Sequence, residues 1–380
     1  PKVKFFLTGH LEPQIREGFC LPLLAEATDI FLLHDVKPSL VNKDIRLYFE
    51  QSFRDLALRR QGLDDWPTEE QLDFLCERAA GLFVYAVATV KFIDGQNSNP
   101  RKRLDILLRM PKSTAQEGKI KFNENTTLDS LYTSILKEAF SDDVPEDDPK
   151  VRSVLGAVVL AANPLSPSNI ATLLGFDSED VTPFLSSVHS LLILREDANH
   201  PVRPFHKSFP DFITDPTRCI NQRFHIFPPN HHLQLLVGCL ELMDRELERN
   251  MCKLPEATIN SEVEQHISSA LQYACKSWHK HFTTEDMVHQ PKFTSALCRF
   301  LEKKFLFWLE VLSVLGATRE AVVALGVVAK WLKESPMLDL VNDCFKFVTT
   351  FFEVISESAP HVYHSALPLS PHTSIVQEKY

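Results

Sequence analysis

Between residues 151 and 214, helix and strand signals follow one another in an order that few small folds use. Residues 151–162 are apolar at helical spacing, which predicts a first helix. Ser166 is a typical N-cap followed by proline, and Gly175 is a typical helix end, so a short second helix is expected between them. A third helix is predicted over residues 178–189, which begin with a serine and two acidic residues.

Two short strands are predicted directly after these helices. Residues 191–195 and 202–206 favour β structure, and Asn199-His200-Pro201 between them predicts a turn. Three helices followed by a β-hairpin is the order of elements in a winged helix. The pattern therefore predicts a winged-helix domain in this part of the chain.

A winged helix raises the question of DNA binding, and the charges argue against it. The expected recognition helix, residues 178–189, begins with Glu179 and Asp180 and holds no lysine or arginine. Phosphates would repel such a helix. The whole chain carries a formal net charge of -10. We therefore expect a wing that faces protein or senses nucleotide, and a DNA-binding regulator is the less favoured alternative.

The first forty residues hold two short apolar runs, residues 3–8 and 29–34, with a helix-like stretch after Pro13 between them. Both runs fit buried parallel strands. Two strands do not make an independent α/β domain. We therefore expect the end of a parallel sheet that begins upstream in a longer parent protein, since the chain starts at Pro1 without methionine.

Most of the remaining chain has helical patterns. Residues 72–93 are predicted to form one apolar helix that starts after Thr68, and residues 292–315 another. Residues 231–356 as a whole suggest stacked helix pairs, without a fixed repeat. Residues 359–380 contain three prolines and predict a linker. The predicted fold class is mainly α, with a remnant of a parallel α/β sheet at the N-terminus.

A phosphate-binding loop is missing from the sequence. Such a loop needs two glycines five positions apart before Lys and Ser or Thr, and no two of the 11 glycines have that spacing. Residues 31–35 resemble a metal-binding strand end, but they hold the single acid Asp35, and a buried strand followed by a loop acid is the simpler interpretation. We therefore expect that the chain is not an enzyme by itself.

His206 is the residue that sequence reasoning selects as a candidate site. It stands in Arg203-Pro204-Phe205-His206-Lys207-Ser208, at the end of the second predicted strand. From the residues alone, a half-buried histidine at a strand end is the simpler interpretation. The eight cysteines show no spacing typical of zinc ligands, so no metal site is predicted.

With these segments identified, the chain resembles the fungal NACHT proteins, which belong to the STAND class of signal-transducing NTPases and are relatives of the NOD-like receptors. The resemblance is carried by residues 4–15 (similar to the sensor 1 strand), 76–86 (the helical segment that closes over nucleotide), 205–212 (the winged-helix histidine motif), and 267–278 and 364–368 (segments that precede a WD-repeat propeller).

The resemblance implies an ordered series of domains. They are the C-terminal end of the NACHT nucleotide-binding α/β domain (1–40), a small helical domain (41–115), a winged helix (128–218), an α-superhelical domain (225–358) and a linker (359–380). In this family, ADP is held between the nucleotide-binding domain and the winged helix. The resemblance therefore implies that His206 contacts the ADP phosphates.

Sensor 1 departs from the family pattern. Thr8 matches, but His10 stands where the family has an arginine that reaches the γ-phosphate, Gly9 replaces serine and Leu11 replaces proline. A histidine does not give the bidentate, permanently charged contact of arginine. ATP hydrolysis is therefore doubtful even in a longer parent protein.

The function implied is that of a regulatory and relay fragment of a NACHT signalling protein, which couples nucleotide state to sensing and effector output. The chain alone implies no cofactor, and ADP or ATP is expected only in a full-length parent. Protein partners, homo-oligomerisation on activation and a cytoplasmic location are expected, without nucleic acid or membrane. The alternative is a protein-interaction scaffold with no nucleotide function, which the altered sensor 1 favours.

Overall fold

The computed structural model describes residues 4–7, 17–19, 21–29, 36–63, 65–95, 98–110, 124–140, 149–195, 197–252, 267–332 and 335–380. Helices make up 67% of the structure and strands 1%. The predicted mainly α fold class is therefore confirmed. The chain divides into two compact units, Pro1–Ala86 and Val87–Tyr380, which are described separately. Among the residues just named, no helix is both long and apolar enough to cross a membrane.

The first unit contains helices α1 (Pro22–Ala25), α2 (Pro38–Arg59) and α3 (Glu69–Ala79). The apolar residues Ile45, Phe49 and Phe53 of α2 recur at helical spacing and are buried. The rings of Phe49 and Phe53 stack at 5.8 Å between centroids. α3 begins with the expected cap, because the Thr68 side chain accepts a hydrogen bond from the backbone amide of Gln71.

The sequence predicts a single helix over residues 72–93, and this prediction is wrong because a break divides the segment. The structure divides it into α3 and a second helix, α4 (Phe83–Ile93). The break falls at Ala80 and Gly81, whose φ angles are 49° and 83°. Two successive left-handed residues end a helix, and glycine adopts this conformation without steric cost.

The predicted sheet remnant is only partly covered by the described residues. Of the predicted strands 3–8 and 29–34, residues 4–7 and 29 have no strand structure, and residues 3, 8 and 30–34 lie outside the described part of the chain. The remnant of a parallel sheet therefore stays a prediction.

The second unit begins with part of α4 and continues through helices and one hairpin. The elements are α5 (Pro100–Leu108), α6 (Glu124–Ala139), α7 (Pro149–Leu160), α8 (Pro167–Leu174), α9 (Ser178–Ser187), β1 (Leu192–Ile193), β2 (Arg203–Pro204) and α10 (Ser208–Ile213). The strands are antiparallel, and Leu192 pairs with Pro204. The order of three helices and a hairpin that the sequence predicts is observed, with shorter strands, and the assignment of a winged-helix domain stays a prediction.

The second helix of this series has the ends that its sequence predicts. The Ser166 side chain accepts a hydrogen bond from the backbone amide of Asn169 at 3.2 Å and caps α8. Gly175 closes α8 in the left-handed region, with a φ of 69°.

The rest of the unit is helical. The elements are α11 (Pro228–Glu246), α12 (Ser269–Ser277), two 3-10 turns (Trp278–His281 and Glu285–His289), α13 (Pro291–Lys303), α14 (Phe305–Val314), α15 (Arg319–Trp331), α16 (Leu338–Thr350), α17 (Phe352–Glu357), a π-helix (Val362–Ala366) and α18 (Ile375–Lys379). The helix predicted over residues 292–315 is in fact two helices, which Lys304 separates.

An aromatic cluster forms the core of this helical region. The rings of Trp278, Phe300 and Trp308 lie 5.3–6.0 Å apart in edge-on pairs, a favourable geometry for aromatic rings. The indole N–H of Trp308 donates to the carbonyl of Cys275 at 3.0 Å, so this buried polar group is satisfied.

The segment from 359 to 380 is folded, unlike the linker that its prolines predict. Val376 on α18 is fully buried. Asp343 on α16 accepts hydrogen bonds from the Ser374 hydroxyl and the Val376 amide. The hydroxyl of Tyr380 bonds to the backbone of the α13–α14 region. The prolines therefore interrupt helices in a packed segment rather than mark a flexible one.

Candidate functional site

The sequence-predicted residue His206 lies between β2 and α10, and it is exposed. The backbone N–H of Ser208 donates to its ring atom Nδ1 at 3.2 Å, and the Ser208 hydroxyl lies 2.8 Å from the same atom. A ring nitrogen that accepts from a backbone amide carries no proton itself. The neutral ring therefore has its proton on Nε2, where it is a hydrogen-bond donor.

A buried tyrosine extends this hydrogen-bond chain. The hydroxyl of Tyr132, on α6, lies 2.6 Å from the Ser208 hydroxyl. Tyr132 donates to Ser208, and Ser208 donates to Nδ1 of His206, so each hydroxyl proton is used once. Burial raises the pKa of Tyr132, and the bond to Ser208 opposes this rise. The chain from Tyr132 through Ser208 thus fixes both the orientation and the tautomer of the His206 ring.

Packing and an ion pair hold Tyr132 in this position. Its ring packs against Phe209 and Phe212 of α10, each at 5.5 Å between centroids. One turn earlier on α6, Asp129 accepts two hydrogen bonds from the guanidinium of Arg218, at 2.7 and 3.1 Å. These bonds raise the pKa of Arg218. A bidentate pair fixes geometry as well as charge, so Asp129 joins α6 to the segment after α10 one turn from Tyr132.

A lysine contacts the residue that precedes His206. The ammonium of Lys91, on α4, lies 4.0 Å from the ring centroid of Phe205, within the range of a cation–π interaction. Burial lowers the pKa of Lys91. The ring of His189 reaches both the Lys91 carbonyl and the Ser186 carbonyl, at 3.0 Å each. Lys91 thus contacts the residue before His206, and the exposed Lys207 follows His206 in the chain.

Of the three predicted site residues, His206 lies in the part of the chain that the structure describes. Thr8 and His10 lie outside the described residues, as does Asp35, so their proximity to His206 stays untested. Within the ranges that the structure describes, no group of three His, Cys, Asp or Glu side chains could hold a metal ion.

The predicted recognition helix, α9, has acidic residues in its first turn. Asp180 pairs with Lys150 at 2.9 Å on an exposed surface, so this carboxylate is compensated within the protein. The expectation that nucleic acid is not a partner stays a prediction.

Sequence reasoning missed the residues that orient His206. Tyr132 stands 76 positions from Ser208, and Lys91 stands 98 positions from His189. No local spacing connects such residues, since only the folded chain brings them together. Ser208 is two residues from His206, and this short separation is the one signal that the sequence offers.

Comparison with known proteins gives one relative. The chain is 23% identical over 335 residues to the vegetative incompatibility protein HET-E-1 of Podospora anserina, a match that covers 80% of this chain. The similarity supports a distant relation to this fungal NACHT protein. The chain spans 23% of the relative's length. No protein-family model and no solved structure matches the chain.

Proposed function

We propose that the chain is the regulatory and relay part of a NACHT-type signal-transduction NTPase. The similarity to HET-E-1 supports a general role in signal transduction. The more specific nucleotide role depends on one observation, the hydrogen-bond chain from Tyr132 through Ser208 to Nδ1 of His206. In that chain Nδ1 is the acceptor, so the neutral ring donates through Nε2–H, and an N–H donor on an exposed ring suits contact with a phosphate oxygen.

In this proposal, His206 donates to a phosphate of ADP bound in the longer protein. A ligand shifts a two-state equilibrium only as far as it binds one state better than the other. The contact would therefore stabilise the ADP-bound resting state. When ATP replaces ADP the contact would be lost, and the helical region would then be able to bind protein partners and other copies of the chain. The chain supplies no phosphate-binding loop, so it regulates and does not catalyse by itself.

The test uses the longest protein that contains this chain and binds ADP. We expect His206→Ala to speed ADP dissociation about tenfold, the effect of losing one hydrogen bond to a charged group, and to raise signalling without stimulus. Tyr132→Phe should have a smaller effect in the same direction. The control is His200→Ala, since His200 is another exposed histidine of the hairpin and pairs with Asp197. Unchanged ADP dissociation in His206→Ala would contradict the proposal.

The alternative is an interaction scaffold without nucleotide function. It is favoured by His10, which replaces the arginine of sensor 1. The two functions are separated by ADP binding to the unaltered longer protein. Absence of binding at millimolar ADP would support the scaffold and end the nucleotide role of His206. In both cases we propose protein partners and a cytoplasmic location.

A further inference from the structure

The helix α2 (Pro38–Arg59) has one buried side, which includes Phe49, and three leucines on its opposite side that are exposed. Leu40, Leu47 and Leu58 are 52%, 62% and 81% exposed. At about 100° per residue, all three lie within about 20° of one line along the helix, directly opposite Phe49. Single exposed leucines are normal, whereas leucines aligned on one face mark a surface for contact.

Three polar residues complete this line of side chains. Asp44, Gln51 and Arg54 stand between the leucines in the chain, within about 40° of the same line, and all three are exposed. Together the six residues form the outer stripe of α2, which is in chain order Leu40, Asp44, Leu47, Gln51, Arg54 and Leu58. Steps of four and three residues alternate along the stripe, which is the spacing by which one helix packs along another.

The outer stripe is complementary to itself when its direction is reversed. Counted outward from Phe49, its members form pairs that lie two, five and nine residues away on either side: Leu47 with Gln51, Asp44 with Arg54, and Leu40 with Leu58. If a second copy of α2 lies antiparallel to the first, with its midpoint also at Phe49, each residue therefore faces the other member of its pair.

The two charged residues distinguish between the possible directions of such a helix pair. In the antiparallel arrangement, Asp44 of each copy faces Arg54 of the other copy, so two attractive pairs form. In a parallel arrangement, Asp44 would face Asp44 and Arg54 would face Arg54, and like charges repel. Charge complementarity therefore favours a second, antiparallel copy of this helix, related to the first by a two-fold axis.

We propose that the outer stripe of α2 is an interface between two copies of this chain, which pair antiparallel about a two-fold axis at the level of Phe49. The leucines supply the apolar contact, and the pairs of Asp44 with Arg54 determine the register. Six side chains from each copy bury less surface than the roughly 1,600 Å² of a standard stable interface. The dimer is therefore weak, with a Kd on the order of 10–100 µM. This contact does not depend on the nucleotide role of His206.

The first test is sedimentation equilibrium of the full 380-residue chain at pH 7, between about 5 and 300 µM. We expect a reversible equilibrium of monomer and dimer. Leu58→Gln should raise the Kd at least about tenfold, because the symmetry removes two leucines from the contact. Leu369→Gln is the matched control, since Leu369 is 72% exposed and lies outside α2, and it should leave the Kd unchanged. A chain that stays monomeric at 300 µM, or an equal Kd for the two variants, would overturn the proposal.

Charge reversal tests the antiparallel arrangement. Asp44→Arg and Arg54→Asp each place like charges opposite one another in both pairs, so each alone should raise the Kd at least about tenfold. The double variant restores opposite charges and should recover the Kd of the unaltered chain, which damage to the fold would not allow. Single reversals without effect, or a double variant that stays monomeric, would contradict the proposed pairing. His206→Ala should dimerise like the unaltered chain, which separates this interface from the nucleotide role.

Discussion

The hydroxyl of Tyr273 lies 2.7 Å from Nε2 of His281, in the interior of the helical region. The same hydroxyl accepts from the Ala162 amide at 3.1 Å, and Nδ1 of His281 lies 3.0 Å from Nδ1 of His232. If Tyr273 donates to Nε2 and His281 donates to His232, each proton is used once and both rings are neutral. The bonds join the end of α7 to α11, α12 and the following 3-10 turn in one network.

The buried histidines of this turn, His281 of the network and the neighbouring His279, predict a loss of stability in acid. Burial lowers the pKa of His281 to about 3 and that of His279 to about 4, whereas histidine in an unfolded chain has a pKa of about 6.5. Below pH 6.5 the unfolded chain therefore binds protons that the folded chain does not. The contribution of these histidines to the free energy of unfolding is therefore fully present above this pH. It falls as the pH drops toward 4, by up to about 1.4 kcal/mol per pH unit for each histidine.

Denaturant titrations at several pH values between 7 and 5 measure this slope. His281→Gln should remove one histidine's share of the pH dependence in addition to its effect on stability at pH 7. His289→Gln, at an exposed position of the second 3-10 turn, is the matched substitution against which the slope of His281→Gln is compared. An unaltered slope in His281→Gln would show that this ring does not titrate as its burial implies.

Helices and their ends were largely predictable from the sequence, because caps and apolar spacing are local. The Thr68 and Ser166 caps and the Gly175 end are examples. The break at Ala80 was missed, since alanine favours helices and its left-handed φ of 49° is imposed by the fold. The packing of the last 22 residues was missed for a related reason: prolines give a local signal, while the burial of Val376 depends on distant helices.

The candidate site was only partly predictable. His206 was identified through a resemblance in its own motif, but the position of its ring proton was not. That position is determined by Ser208 and by Tyr132 on a separate helix.

Two glycines inside helices should respond in opposite ways to substitution by alanine. A Cβ atom at Gly238 on α11 would lie 2.3 Å from the carbonyl oxygen of Leu173, whereas one at Gly326 on α15 would meet its nearest neighbour at 3.9 Å. We expect Gly238→Ala to destabilise the chain by about 1–3 kcal/mol. Gly326→Ala should stabilise it by up to about 1 kcal/mol, because alanine favours the helix.

Denaturant titrations of the two glycine variants at pH 7 test this pair, and each variant is the control for the other. A stable Gly238→Ala variant would mean that α11 does not approach α8 as closely as the structure places it.

The tail should contribute to stability through Tyr380. Its hydroxyl accepts from the Phe305 amide at 2.7 Å and donates to the Leu301 carbonyl at 3.1 Å. Tyr380→Phe leaves both backbone groups unpaired at the junction of α13 and α14, and we expect a loss of about 1–3 kcal/mol in the free energy of unfolding. Lys379→Ala removes a neighbouring surface ion pair with Glu302 and should change stability little. Equal stability of Tyr380→Phe and the unaltered chain would restore the linker interpretation.

Asp129 and Arg218 form a bidentate pair, and both side chains are mostly buried. We therefore expect a stronger coupling energy between these two residues than between the partners of an exposed ion pair. A double-mutant cycle with Asp129→Asn and Arg218→Met is expected to give a coupling energy of about 1–2 kcal/mol. The same cycle on the exposed pair Lys150 and Asp180 should give less than about 0.5 kcal/mol. Equal couplings would contradict the assignment of a structural role to the buried pair.

The same pair connects stability with the proposed function. Asp129 and Tyr132 are one turn apart on α6, so loosening the ion pair should also loosen the hydroxyl that orients Ser208 and His206. Asp129→Asn should therefore speed ADP dissociation in the longer protein, by less than His206→Ala does. In the His206→Ala background, Asp129→Asn should add no further effect, because the ring that it positions is gone. An additive effect on ADP dissociation would show that Asp129 acts by a route that does not pass through His206.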